Sequence, residues 1–255
     1  ETEIIIQDTE RNPFKFISAV CGSYYTLYLL SSEESKINQL LYVYKTSGIT
    51  TPLFLNLNGH NPQYLFGGEK ISSTIDSDGN IFIITNSVFI SHQKTVKPSI
   101  LPNDEKAICV ACCNSFVFVL SLSGHVFVSS VKFNDFSFTL VKELEKEGEI
   151  IEISGTCDHC FAVCKDGRVF AFGLNSEGRL GIGGEEFKAT KFVEVSSLNK
   201  YKIVSASAGC NHSLFITSNG KVLACGSNYY NQLLFDNDLK KEFFCFPVET
   251  KIQKD

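Results

Sequence analysis

Tryptophan and methionine are absent from all 255 residues, and no apolar run approaches the length a bilayer-spanning helix needs. The richest stretch, Ile81 to Ile90, is already interrupted by Thr85, Asn86 and Ser87. Positive charge is also short: 23 Lys and Arg stand against 28 Asp and Glu, a formal net charge of −5. The chain therefore has no overall field to draw in a phosphate backbone, and nucleic acid is disfavoured as a partner. Walker A, HExxH and GxSxG signatures are missing, and the GIGG of residues 181–184 lacks the spacing of a dinucleotide fingerprint. Ten cysteines are too sparse for a disulfide-stapled mini-fold. Many sit inside hydrophobic runs, where free cysteine behaves as a small apolar residue, and this reads as a reducing compartment, cytoplasmic or nuclear. The first residue is Glu1, which suits a segment of a longer polypeptide.

What the chain does contain is apolar and strand-prone. Hydrophobic residues make up 44% and charged residues 20%, which excludes disorder as the main description. The 22 phenylalanines, accompanied by many Val, Ile and Thr, lean towards β-structure.

The stretch from Ser154 to Ile182 overlays Ser207 to Phe235 at a constant shift of 53 residues, with nine of 29 positions identical. Chance would give about two at ordinary residue frequencies. The shared residues include Cys157/Cys210, His159/His212, Gly167/Gly220, Gly173/Gly226 and Asn175/Asn228. Each copy holds two short β-rich runs joined by Asp166-Gly167 or Asn219-Gly220, dipeptides that favour a type I′ hairpin. Weaker copies turn at Asp78-Gly79 and Ser123-Gly124, and a fifth, with a longer polar tip over residues 31–39, begins near Cys21.

The glycines at 79, 124, 167 and 220 lie 45, 43 and 53 residues apart. That period suits four-stranded propeller blades of about 45–50 residues, because hairpins flanked by β-branched and aromatic residues argue against helical repeats. Only Val141 to Glu149 looks helical. Runs such as FVFVL and VFAF, apolar at successive positions, fit strands covered on both faces by adjacent blades. The fold class is thus an all-β propeller with five legible units at about 16–60, 61–105, 106–148, 149–201 and 202–250, read as a single domain over 1–255.

The order of Phe172 to Gly226 resembles the regulator of chromosome condensation repeat: an NxxGxLGxG-like segment, a return strand, a GxxHS start, two apolar strands around a turn glycine and a closing glycine. The resemblance is strong over 149–248 and degenerate over 16–148. It implies a closed propeller, usually of seven blades, and either a protein-interaction scaffold or a guanine-nucleotide exchange factor for a small GTPase. Light sensing through stacked tryptophans, another activity in the family, is excluded by composition. Ring closure by residues 3–8 pairing near Phe243 to Glu249 is a further expectation.

Cys157, His159, Cys160 and Cys164 tempt a metal reading. The sister repeat keeps its pattern with Ser213 and Thr217 in place of Cys160 and Cys164, and successive strand residues point to opposite faces. No metal, cofactor or catalytic residue is expected. His159 and His212 recur and are read as structural bonds at strand starts, and Asn175 and Asn228 as satisfying backbone groups in the exit turns. Gly79, Gly124, Gly167, Gly220, Gly173 and Gly226 complete the structural set. Candidates for contacting a protein partner are Tyr229, Tyr230, Glu177, Arg179, Glu185 and Glu186, on loops carried by a rigid scaffold.

Overall fold

The computed structural model describes residues 14–31, 37–46, 49–85, 95–131, 136–235 and 241–251. These form five antiparallel sheets in which strands follow chain order. The first holds β1 (Lys15–Cys21), β2 (Tyr25–Ser31), β3 (Gln39–Thr46) and β4 (Ile49–Leu55). The second holds β5 (Pro62–Gly67), β6 (Ile71–Asp76) and β7 (Ile81–Thr85), and the third β8 (Ala107–Cys112), β9 (Phe116–Ser121), β10 (Val126–Ser130) and β11 (Thr139–Leu140). The fourth comprises β12 (Ile150–Thr156), β13 (His159–Cys164), β14 (Val169–Leu174) and β15 (Lys188–Glu194). The fifth comprises β16 (Ile203–Ala208), β17 (His212–Thr217), β18 (Val222–Ser227) and β19 (Phe243–Glu249).

Successive sheets stand side by side through their first strands, β1 beside β5, β5 beside β8, β8 beside β12 and β12 beside β16. This is the radial arrangement of a β-propeller. Second strands between two neighbours are covered on both faces for that reason: all six residues of β13 are buried. In β17, which has a neighbouring sheet on one side only among the described residues, burial alternates. At the other end β1 is exposed along most of its length, with Phe16 57% accessible. The expected closing strand at residues 3–8 lies outside the described residues.

Three details differ from expectation. The hairpin corners are not type I′ turns. Gly79, Gly124, Gly167 and Gly220 have φ of 83°, 84°, 99° and 84°, while the residues before them are not left-handed. Each glycine N–H donates to the carbonyl three residues back, and that residue's N–H donates to the carbonyl after the glycine, as in Gly167 to Cys164 and Cys164 to Arg168. This is a type I turn closed by a left-handed glycine, so only one position requires φ > 0. Second, the fourth strand of the second sheet is reduced, among the described residues, to a single bridge between Ile81 and Ser99. Third, Val141 to Glu149 folds as consecutive turns rather than a helix.

A device that periodicity did not disclose recurs in every first strand: a register shift at Ile17, Gln63, Ile108, Ile151 and Val204. Such bulges bend and twist a strand locally. Here they leave Ile17, Ile108, Ile151 and Val204 exposed along the inner strands.

Candidate interaction face

Antiparallel pairing sets the start of each second strand against the end of the third, as in His159 opposite Gly173 and His212 opposite Gly226. The turns between first and second strands therefore share one face of the arc with the exit loops after the third strand. The hairpin glycines lie on the opposite face.

The exit loops are pinned from inside. Asn175 Nδ2 donates to the carbonyls of Gly183 and Glu186, both at 2.7 Å, and Leu180 N donates to Asn175 Oδ1 at 3.0 Å. In the sister loop Leu233 N donates to Asn228 Oδ1 at 3.1 Å, and Asn228 Nδ2 reaches the Lys241 carbonyl at 3.5 Å. A short polar side chain thus satisfies backbone groups that an irregular buried turn leaves without ladder partners. Gly178, at φ 76°, lies so close to β19 that a Cβ would sit 2.3 Å from Cys245 Cα. The fourth sheet's loop is consequently seated on the fifth sheet.

His159 is fully buried and bonds Ser213 Oγ of the next sheet at 2.9 Å. Because Ser213 Oγ donates its single hydrogen to the Arg179 carbonyl, His159 Nε2 is the donor in that pair. Burial, reinforced by the nearby Arg179 guanidinium, pushes the imidazole pKa down to about 3. His212 occupies the same slot at the end of the arc, half-buried, with its pKa also lowered by burial. Arg179 was expected at the surface but is 7% exposed, with Nε donating to the Ser176 carbonyl and Nη1 to the Cys210 carbonyl. It ties the two sheets together and is removed from the partner-contacting candidates.

The other candidates cluster on this face. Tyr230 is 90% exposed and Tyr229 54%, and Glu185, Glu186 and Phe187 are exposed on the neighbouring loop. Glu177 is half-buried, with φ 60°. The carboxylates of Glu242 and Glu177 lie near the Tyr229 hydroxyl, and the Glu242 charge raises its pKa. The surface is aromatic and acidic.

The first-to-second-strand turns form a second feature of the same face, which no sequence signal had marked. Ser23 N donates to the Glu69 carbonyl at 2.9 Å, Asn114 Nδ2 to Glu69 Oε2 at 2.6 Å, and Asn114 N to the Cys157 carbonyl at 2.6 Å. Cys157 Sγ then lies 2.8 Å from Cys210 Sγ. This belt touches all five sheets in turn, and the Asn114 amide holds the Glu69 carboxyl below the usual range.

The tempting metal quartet does not converge. His159 faces the fifth sheet, whereas Cys160 and Cys164 pack in the core shared with the third. On the opposite face, Ser123, His125 and Glu105 come together, yet both partners meet the same imidazole nitrogen, at 2.9 and 3.1 Å. One nitrogen cannot take a proton from the serine while its other side is oriented by the carboxylate, so the trio is no relay. No helix among the described residues is long and apolar enough to cross a membrane.

Comparison with known proteins agrees with this architecture. Models of the regulator of chromosome condensation (RCC1) repeat match residues 166–216 and 203–232. The probable E3 ubiquitin-protein ligase HERC6 of Homo sapiens is 44% identical over 88 residues, 34% of this chain and 8% of that protein. The secretion-regulating guanine nucleotide exchange factor of Bos taurus is 38% identical over 88 residues, 34% of this chain and 19% of that protein. The chain thus spans under a fifth of the length of either relative. Among solved structures, yeast RCC1 (Prp20), crystallised bound to Kap60, superposes with a TM-score of 0.71 at 18% identity, over 94% of this chain and 64% of that one. With tandem repeats at 166–232 and the radial sheets around them, the chain is a divergent RCC1-like repeat protein with a β-propeller fold.

Proposed function

We propose that the chain is a non-enzymatic protein-interaction scaffold and that its partner docks on the face carrying Tyr229, Tyr230, Glu185, Glu186 and Glu177. The supporting observation is the pairing of highly exposed aromatics with carboxylates on loops that Asn175 and Asn228 hold rigid. Rigid aromatic anchors at low entropic cost are the usual centre of a protein interface, and surrounding carboxylates select a basic partner surface. The ten free cysteines fit a reducing compartment, cytoplasmic or nuclear. The five sheets act as one domain, without metal or cofactor.

A second reading, exchange-factor activity towards a small GTPase, is favoured by the relative of that name. The two readings part in one assay: catalysed nucleotide release from any of a panel of small GTPases rejects the scaffold-only reading. The docking face is tested by affinity purification of matched variants. Tyr229→Ser with Tyr230→Ser is expected to lose partners that an Arg168→Ala variant, altered on the opposite face, retains. Equal partner sets from both variants overturn the assignment.

A further inference from the structure

We propose that Cys157 and Cys210 are a peroxide-responsive thiol pair that closes into a reversible disulfide between the fourth and fifth sheets. Their sulfurs are 2.8 Å apart, so bond formation at about 2.05 Å asks for an approach of under ~1 Å. The approach is prearranged by the repeat itself: the two residues occupy the same turn in successive units, 53 positions apart. Both turns are anchored, Cys157 through its carbonyl to Asn114 N and Cys210 through its carbonyl to Arg179 Nη1.

The members of the pair differ in access. Cys210 is exposed, whereas Cys157 is 5% exposed behind it. A hydroperoxide therefore meets Cys210 first. The Cys210 thiolate attacks one peroxide oxygen, forming an S–O bond as the O–O bond breaks, and hydroxide leaves to become water on protonation. Cys157 then attacks the Cys210 sulfenic sulfur. An S–S bond forms, the S–O bond breaks, and the departing hydroxide takes up the Cys157 proton. The balance is two thiols plus hydrogen peroxide giving one disulfide plus two waters, with the thiols losing two electrons and the peroxide gaining them.

The surroundings order these steps. Burial, the neighbouring Cys210 sulfur and the Glu69 carboxylate all raise the Cys157 pKa, so Cys157 remains a thiol and resolves rather than initiates the reaction. The Glu69 carboxylate, close enough to Cys157 to raise its pKa, relays the Cys157 proton to the departing hydroxide as the S–S bond forms. Cys113 and Cys160 also neighbour one another across the third and fourth sheets, but they are 3% and 0% exposed and serve as an internal control for access.

The test treats the full chain with stoichiometric hydrogen peroxide, blocks residual thiols by alkylation and maps peptides without reduction. A Cys157–Cys210 cross-linked peptide is expected, with eight of the ten thiols still alkylatable and all ten recovered after dithiothreitol. The oxidised form is expected to melt ~5 °C higher, since the link closes a long loop in the unfolded chain. In Cys157→Ser, Cys210 is expected to accumulate sulfenic acid trapped by dimedone, and in Cys210→Ser neither the cross-link nor the melting shift appears. Alkylatable Cys210 after treatment, or its pairing with another cysteine, overturns the proposal, as does a melting shift that persists in Cys210→Ser, a surface substitution that spares the core.

Discussion

The first and last pairs of sheets join through the same slot but with different chemistry. At the first residue of β2, Tyr25 donates its hydroxyl to the carbonyls of Gly68 and Ile71 in the second sheet, each at 2.9 Å, and stacks on Tyr42 at 5.4 Å. At the first residue of β13, His159 reaches Ser213 in the fifth sheet. Between them, Phe116 at the start of β9 packs edge-on against Phe172 of the fourth sheet at 5.6 Å, with no polar bond. The slot is one geometric position, since Gly22 N, Cys113 N and Gly209 N donate to the carbonyls of Tyr25, Phe116 and His212 alike. What the fold requires there is a side chain long enough to meet the next sheet. Whether it arrives as phenol, phenyl or imidazole is left to the neighbour, which explains how the first three repeats lose the family pattern while keeping the architecture.

The contrast is sharpest opposite that slot. Gly173 and Gly226, at φ 109° and 96°, stand where the third sheet has Ser130, the residue paired with Phe116. A Cβ on Gly173 would lie 2.1 Å from the Asp158 carbonyl oxygen, a backbone atom with little freedom to retreat. Gly173→Ala is expected to cost more than about 3 kcal/mol, from left-handed strain plus overpacking. Ser130→Ala, exposed on the regular strand, is expected to stay within about 0.5 kcal/mol. Urea melts of the two variants measure the difference, and similar costs would remove the distinction between the halves.

His159 carries the next largest effect. Truncation to alanine empties a fully buried site and strips Ser213 of its imidazole partner, for an expected loss of about 3 kcal/mol. Its titration adds a signature that Tyr25 lacks over the same range. The unfolded chain takes up the imidazole proton near pH 6.5, whereas the folded protein resists it down to about pH 3. This contribution is therefore at full strength above pH 6.5 and falls by about 1.4 kcal/mol per unit as the pH drops through that window. Wild type at pH 5 is expected to be about 2 kcal/mol less stable than at pH 7.5. His159→Gln should flatten most of that slope in paired urea melts, leaving the smaller contribution of His212, whose pKa is lowered in the same direction.

How much of this was legible depended on whether the physical cause lay within one repeat. Hairpin glycines are required by local backbone geometry, so they announce the sheets directly, although the pairing of a type I turn with a left-handed glycine could not be told from type I′ by the dipeptide. Recurrence at 53 residues drew attention to His159 and Asn175. Asn175 bonds its own loop, but the partner of His159 sits in the next sheet, where Ser213 carries no signal. Arg179 read as a surface residue because it sits in a turn; its guanidinium instead folds inward to carbonyls supplied partly by another unit. The sequence Ile71–Asp76, with Ser72, Ser73 and Thr74, reads as polar, yet every residue is buried because sheets cover both faces. The bulges leave no sequence signal because shifting one residue in a strand of six or seven leaves its composition unchanged.

Tyr25→Phe measures the first sheet's version of the slot. It removes one donor shared by two carbonyls while keeping the stacked ring, so the expected loss is about 1 kcal/mol, smaller than that of His159→Ala. A larger loss would mean that the polar bond, rather than the ring, holds the first two sheets together.

The smallest expected effect concerns the exposed tyrosines. Tyr230 is 90% accessible, and its described hydrogen bond is made by the backbone, from its N–H to Gln232 Oε1. Tyr230→Ser is accordingly expected to leave the urea midpoint within about 0.5 kcal/mol of wild type. The value of the measurement lies in its contrast with His159→Ala in the same pair of sheets. Residues that bind sheet to sheet should register in stability, and residues kept for a partner should not. A destabilisation above about 1 kcal/mol would assign Tyr230 to the scaffold and move the search for the docking surface to Phe187 and the inner-strand row at Ile108, Ile151 and Val204.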